Sequence, residues 1–363
     1  MIRKIKVFVV DDSPIVRQAF IKIFHEIPEV QLFGIADNPI SAMQRISHIG
    51  KPDVMILDLE MPKMNGLAYL KRIMSEPNPF PVIICSSVVG TGKNHNAVKA
   101  LSLGAVDIIS KPKGSLKDFF NNHATDFINS IKGAVGSKIT NTPKYISQEK
   151  VKPSINSSAI NTKNSVPNIS DTNIKTNNPI ISIGASTGGV QVLEEILSSL
   201  PSNTPPILIV QHMPAGFTAS FANRLNEMCK IKIIEAKDGM PIEKSTAYIA
   251  EGNKHMLVQS ISNKLFIKQS SGPKVSRHRP SVDALFDTVA KNIGSNSISF
   301  ILTGMGDDGA RGIGKIRENG GKTFAQEEVS CIVYGMPKVA VAMDSVDGSV
   351  TISQIIDIIK KQN

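Results

Sequence analysis

Long apolar runs are missing from this sequence. None approaches the roughly 20 residues that a membrane-spanning helix needs, so membrane insertion is not expected. Cysteine is scarce too: Cys85, Cys229 and Cys331 lie far apart in apolar or helical surroundings, which excludes a disulfide framework and a cysteine metal site. No histidine motif sits beside any of them, so they read as packing residues. The opening MIRKIKVFVVDD enters a strand at once without a signal-peptide cleavage pattern, and the expected location is the cytoplasm. A concentrated basic stripe is also lacking. The net charge of +10 is spread as +4 over residues 1–132, +4 over 133–178 and +2 over the remainder, so no nucleic-acid partner is expected.

What is present is an ordinary globular composition, 41% apolar and 20% charged, in 363 residues, enough for two domains with their own cores. The most informative stretch is PIISIGASTGGVQVLEEILSSL, from Pro179 to Leu200. The β-branched apolar run Ile180 to Ile183 predicts a buried parallel strand, the glycines at 184, 188 and 189 a tight turn, and the residues from Val190 a helix. Ser186 would then stand at the carboxyl end of a sheet, beside the free N–H groups of a helix N-terminus. Gly184-Ala185-Ser186-Thr187-Gly188 matches the G-x-S-x-G pattern of a nucleophile elbow, although glycine turns of this kind also bind phosphate.

Residues 1 to about 131 alternate five short apolar runs with helix-length periodic segments. The runs are Ile5 to Val10, Val30 to Ala36, Val54 to Asp58, Val82 to Ser87 and Ala105 to Ser110, a pattern that predicts a doubly wound parallel sheet. Their carboxyl ends carry Asp11, Asp12, Asp58, Ser86 and Lys111, which such a fold gathers at one edge. Three carboxylates crowded there repel one another unless a cation joins them, and Mg2+ suits an all-oxygen ligand set. Asp58 could then accept a phosphoryl group, with Mg2+ and Lys111 neutralising the transferring oxygens.

Residues 133–178 change character. Asn, Ser and Thr supply 8, 7 and 5 of these 46 residues and no period persists, so the segment reads as a flexible linker between a domain at 1–132 and another at 179–363. The second domain resumes the strand–helix alternation. Ile207 to Gln211 leads into His212, a helix runs from about Thr218 to Met228, and Ile231 to Ala236 forms the next strand. A β-rich insertion is expected at Tyr248 to Ala250, Met256 to Ser260 and Leu265 to Gln269. Ser281 then caps a helix to Asn292, and Ile298 to Thr303 runs into GMGDDGARG. Three strand ends therefore carry Ser186, His212 and an aspartate, Asp307 or Asp308, the side-chain types of a serine hydrolase. His255 and His278 are the competing histidines, but neither follows a long apolar strand.

The motifs DD at 11–12, LDLEMPKMNG at 57–66, SS at 86–87, GAVD at 104–107 and KP at 111–112 resemble a response-regulator receiver domain. That resemblance implies phosphorylation at Asp58, metal ligation by Asp11, Asp12, Asp58 and the Glu60 carbonyl, a phosphate-contacting hydroxyl at Ser86 and an ion-pairing lysine at Lys111. Ile108 departs from the pattern, standing where the family usually has an aromatic ring. IGASTGG at 183–189, VQHMP at 210–214, IAEGNKHM at 249–256, HRPSVDALF at 278–286, LTGMGDDGA at 302–310 and VYGMPKVA at 333–340 are similar to the chemotaxis methylesterase catalytic domain. IAEGNKHM departs from the more usual proline-glycine form, a change expected in a loop.

Together the two resemblances cover all but the linker and point to the chemotaxis response regulator protein-glutamate methylesterase family. The implied fold is two doubly wound parallel-sheet domains, a flavodoxin-like receiver and then a Rossmann-like α/β esterase unit with the β-rich insertion. The implied nucleophile is Ser186, the base His212 and the orienting carboxylate Asp308, with Thr187 and Met305 as pocket and oxyanion candidates. The family hydrolyses glutamate methyl esters and deamidates glutamines on chemoreceptors, and takes its phosphoryl group from the chemotaxis histidine kinase. No cofactor is expected in the esterase unit, and the expected state is a monomer. Two other classes fit less well. A DNA-binding output domain would be small, helical and basic, and a nucleotide-binding one would place an acidic residue where His212 stands.

Overall fold

Each apolar run read from the sequence becomes a strand in the computed structural model, which describes residues 3–87, 90–112, 124–137 and 179–362. The first unit runs β1 (Ile5–Val10), α1 (Pro14–His25), β2 (Val30–Ala36), α2 (Pro39–Ile49), β3 (Val54–Asp58), α3 (Gly66–Met74), β4 (Val82–Ser86), α4 (Gly90–Ser102), β5 (Asp107–Ser110) and α5 (Ala124–Val135). Its strands form one parallel sheet in the order β2-β1-β3-β4-β5. Ser13 and Asn38 cap α1 and α2 by accepting the Val16 and Ser41 N–H groups, and a proline stands in the first turn of both helices. The register pairs Val10 with Leu57, which brings the residues that follow, Asp11 and Asp58, to the same edge.

Strand ends shift by a residue or two from the sequence expectation, and two of the differences in the first unit have a visible cause. β5 begins at Asp107 and not at Ala105, because the Ala105 N–H closes the end of α4 onto Ala100 O. Helix α5 continues to Val135, past the linker start expected at 133, because Ile131 and Ala134 are buried in the same cluster as Phe20 and Phe24. The rest of the expected linker, residues 138–178, lies outside the described residues.

The second unit continues with β6 (Ile180–Ala185), α6 (Gly189–Ser198), β7 (Ile207–Gln211), α7 (Phe217–Met228), β8 (Lys232–Glu235), β9 (Thr246–Ile249), β10 (His255–Ile261) and β11 (Lys264–Ser270). It ends with α8 (Val282–Asn292), β12 (Ser297–Ile301), α9 (Ala310–Glu318), β13 (Lys322–Gln326), α10 (Met336–Ala342), β14 (Gly348–Val350) and α11 (Ile352–Lys360). Seven strands make a parallel sheet in the order β14-β13-β12-β6-β7-β9-β8. The β-rich insertion is smaller than expected. The strand at Tyr248 joins the main sheet between β7 and β8, leaving the antiparallel hairpin β10-β11, whose tight turn is Ser262-Asn263. Tyr248 anchors that strand, its buried hydroxyl donating to Pro241 O at 2.7 Å.

From β6 the chain winds outward through β7 to β9 and then returns to the other side of β6 as β12. The carboxyl ends of β12, β6 and β7 therefore flank a topological switch point, where an open α/β sheet forms a crevice. Helix α4 of the first unit packs on α6 and α7 of the second, and one buried apolar cluster runs through both sheets across that contact.

The turn after β6 depends on Gly188, whose φ of +78° is the left-handed region and whose hypothetical Cβ would lie 2.5 Å from Ile332 Cβ. Gly188→Ala is expected to destabilise the second unit by about 2–4 kcal/mol, the sum of backbone strain and overpacking, read as a shift in the denaturation midpoint at unchanged slope.

Candidate active site

Ser186 follows β6, His212 follows β7 and Asp308 lies beyond β12, so three neighbouring strands deliver the three residues to one crevice. The crevice is held by main-chain bonds. The Ser186 N–H donates to Thr303 O at 3.0 Å and the His212 N–H to Ala185 O at 3.0 Å. Gln211 lies buried beneath, its Nε2 donating to Ser186 O and His212 O at 2.9 and 3.0 Å.

Asp308 is 1% exposed and has four donors. His212 Nε2 lies 2.8 Å from Oδ2, Ser281 Oγ donates to Oδ1 at 2.8 Å, and the N–H groups of Val282 and Asp283, in the first turn of α8, donate at 2.8 and 3.0 Å. Burial works against its ionisation, but the His212 contact and the helix N–H groups outweigh burial and hold the carboxyl below its ordinary value. Asp307, the alternative that strand ends alone left open and the resemblance set aside, points away to a partly exposed ion pair with Arg277.

His212 Nδ1, the ring nitrogen that Asp308 does not hold, is buried without a hydrogen-bond partner. His212 and Ser186 line the same small cavity, and no hydrogen bond joins their side chains. Thr187 is buried beside Ser186, and Met305, in the turn after Thr303, lies with Thr187 against Gly133 of α5. His278, weighed from sequence as a competitor of His212 and set aside because it follows no core strand, nevertheless reaches the crevice. Its loop folds back so that the His278 ring stacks on His212, with centroids 3.9 Å apart and planes 11° from parallel. Burial, and then the proximity of His212, push the His278 pKa far down, so this ring stays neutral. No periodicity or motif spacing could have signalled the stack. His255 donates to or accepts from other groups, Pro273 O and the Ser281 N–H, and stays out of the crevice.

The first unit closes over this crevice. Asp107, at the start of β5, is buried against it, its Oδ2 accepting from Ser130 Oγ at 2.8 Å and Thr187 Oγ1 at 3.3 Å. Burial raises the Asp107 pKa despite these bonds. Gly133 of α5 lies against Thr187 and Met305, where an added Cβ would sit 3.5 Å from both side chains. Farther out, Glu194 of α6 accepts from Ser102 Oγ of α4 at 2.7 Å and pairs with Arg224 of α7 at 2.8 Å, a buried carboxylate shared across the contact. Lys274 pairs with Asp126 at 3.2 Å.

At the far edge of the first sheet, carboxylate oxygens of Asp11, Asp12 and Asp58 all lie within 4.8 Å of one another. Lys111 Nζ reaches Asp58 Oδ2 at 2.7 Å and Asp11 Oδ2 at 2.9 Å. Burial raises the pKa of both Asp11 and Asp58 despite that lysine, and the paired carboxylates in turn raise the Lys111 pKa against its own burial. Ser86 ends the neighbouring strand, buried, and the Glu60 N–H donates to Asp58 Oδ1 at 3.3 Å. Two buried carboxylates sharing one ammonium leave negative charge uncompensated, so this set of hard oxygen donors fits a divalent cation.

The chain is similar along most of its length to known proteins. The CheB methylesterase family model matches residues 181–359 and the response regulator receiver domain model residues 7–119. A protein of Leptospira interrogans named protein-glutamate methylesterase/protein-glutamine glutaminase 3 is 45% identical over 358 residues, 97% of this chain and 98% of that one. A protein of Bradyrhizobium diazoefficiens with the same enzyme name, from its group 3 operon, is 43% identical over 352 residues, covering 97% and 94%. The crystal structure of the Thermotoga maritima CheB methylesterase catalytic domain superposes with a TM-score of 0.50 at 36% identity, covering 51% of this chain and 99% of that one.

The acidic cluster yields a pH-dependent expectation. The folded pKa values of Asp11 and Asp58 lie above the unfolded ones, so without metal the first unit gains stability as pH falls through those raised values. A divalent cation competes with those protons. Millimolar Mg2+ should therefore raise the Tm most near neutral pH and progressively less on acidification, and in Asp58→Ala the increment should largely vanish, as scanning calorimetry would show.

Proposed function

The chain belongs to the CheB methylesterase family, with a receiver domain ahead of the esterase unit, and on that footing we propose that Ser186, His212 and Asp308 form its catalytic triad. The chain is a response regulator of chemotactic adaptation that hydrolyses protein glutamate methyl esters and deamidates protein glutamines. The single observation that carries the triad is the His212–Asp308 contact at 2.8 Å on a fully paired, buried carboxylate, one strand to either side of the Ser186 turn.

Asp308 fixes a proton on His212 Nε2 and leaves Nδ1 as the base. His212 Nδ1 takes the Ser186 proton as Oγ attacks the γ-carbonyl carbon of the modified glutamate. The tetrahedral adduct collapses when His212 returns that proton to the leaving methoxide, giving methanol and an acyl-enzyme. For glutamine the leaving group departs as ammonia. Water, deprotonated by the same nitrogen, then releases the glutamate side chain and restores Ser186. Thr187 and the backbone at Met305 flank the turn as oxyanion donors, an arrangement worth about 3 kcal/mol for one such donor.

The domain plan is a receiver that extends to the end of α5 at Val135, a joining segment up to 178 and an esterase unit from 179 to 363. Asp58 is the phosphoryl acceptor, with Mg2+ held by Asp11, Asp12, Asp58 and the Glu60 carbonyl, and with Ser86 and Lys111 facing the phosphoryl oxygens. When bound, such an ion would neutralise the charge that these carboxylates and a phosphoryl group bring together. The phosphodonor is the chemotaxis histidine kinase, the substrates are chemoreceptors, and the enzyme acts as a cytoplasmic monomer. Among the described residues no helix is long and apolar enough to cross a membrane. Phosphorylation opens the contact that α4, β5 and α5 make over the crevice, for which a few kcal/mol of differential stability suffices.

Methanol release from methylated receptor membranes tests both halves. Ser186→Ala should lose at least about a thousandfold in rate with or without a small-molecule phosphodonor. Asp58→Ala should keep the low basal rate and show no stimulation. Full hydrolysis by the Ser186 variant would remove the triad, and stimulation of the Asp58 variant would remove the phosphorylation site.

A further inference from the structure

Five hydrogen bonds join the nucleophile turn and α6 to the receiver segment 101–107: Ser102 Oγ donates to Glu194 Oε1 at 2.7 Å, and in the other four the receiver accepts. The Gly188 N–H donates to Val106 O at 3.3 Å, Gln191 Nε2 donates to Leu101 O at 2.7 Å and Ala105 O at 3.0 Å, and Thr187 Oγ1 donates to Asp107 Oδ2 at 3.3 Å. In those four, every donor lies within five residues of Ser186, and every acceptor is a main-chain carbonyl or a carboxylate. The space left between the segment and Ser186, Gln211 and His212 is about 10 Å³, room for one water at most.

A protein glutamate ester must present the same chemistry to this turn. Its main chain supplies carbonyl oxygens, and its side chain ends, after hydrolysis, as a carboxylate beside Ser186. When the receiver leaves, Gln191 and Gly188 lose their acceptors, and an entering polypeptide can restore them.

We propose that receiver residues Leu101–Asp107 lie in the cleft as a mimic of the substrate polypeptide, and that Gln191 is a specificity residue whose Nε2 binds main-chain carbonyls of the substrate protein. This deepens the esterase reading and rests on it. The closed receiver and the substrate then compete for the same donors, with Asp107 in the place of the product carboxylate. Inhibition by the receiver is competitive in kind and more than a steric cover.

The test is the isosteric change Gln191→Glu, which removes the donor and keeps the shape, beside Gln191→Ala, which removes it without adding charge. Methanol release is measured on the full chain against increasing methylated receptor, with and without a small-molecule phosphodonor. Without the phosphodonor both variants should be several-fold more active than wild type, because the closed state has lost two bonds. With it, both should show KM raised roughly 5- to 10-fold, the loss of one hydrogen bond, with kcat within about twofold. An unchanged KM in the activated enzyme would reduce Gln191 to a latch and overturn the proposal, as would an effect confined to the charged variant. Failure of the wild type to release methanol would instead overturn the esterase reading and this inference with it.

Discussion

A carboxylate almost wholly removed from water must be met by donors on every side, and Asp308 is the group around which the second unit is arranged. Leaving such a charge unpaired costs several kcal/mol, so its partners are constrained together. Those partners are the first turn of α8, the cap residue Ser281 and the ring of His212. One anion thus fixes where a helix starts, how a loop enters it and which nitrogen of a histidine remains available. The position of Asp308 follows from β12 lying directly beside β6, so the sheet order and the histidine tautomer are parts of one arrangement.

The two sites of the molecule are joined by a short piece of backbone. β5 is four residues long, with Asp107 at its start in the esterase cleft and Lys111 just past its end, paired with Asp58 and Asp11. The distance along the strand is about 13 Å. Both ends are held in buried surroundings, Asp107 by hydroxyl donors and Lys111 by carboxylates, where interactions are strong and shifts of position are costly. Ile108, buried between them, is aliphatic where the family usually has a ring.

Much of this was legible from sequence, for reasons that can be given residue by residue. Parallel strands buried on both faces are written as continuous β-branched runs, which is why Ile180, Ile207 and Val54 announced their strands. The rule that function gathers at carboxyl ends then placed Asp11, Asp58, Lys111, Ser186 and His212 without any contact being known. Tyr248 shows where that reasoning fails. A four-residue strand close to a hairpin looks like part of it, and only pairing to β7 and β8 reveals that it belongs to the main sheet. The end of α5 was misplaced for a related reason, since Ile131 and Ala134 are held by aromatic rings a hundred residues earlier.

What the chain determined by itself was therefore chemistry and local conformation: which side chains stand at strand ends, and that an acidic pocket and a serine turn coexist on one polypeptide. What only the tertiary structure decided was juxtaposition. The His212–Asp308 contact, the His278 ring on His212, and the receiver carbonyls on Gln191 all depend on segments far apart in the chain being brought within reach of one another. Hydrogen bonds and ring contacts act over about 3 to 4 Å and carry no periodic trace in the sequence, whereas burial of a strand or a helix face does.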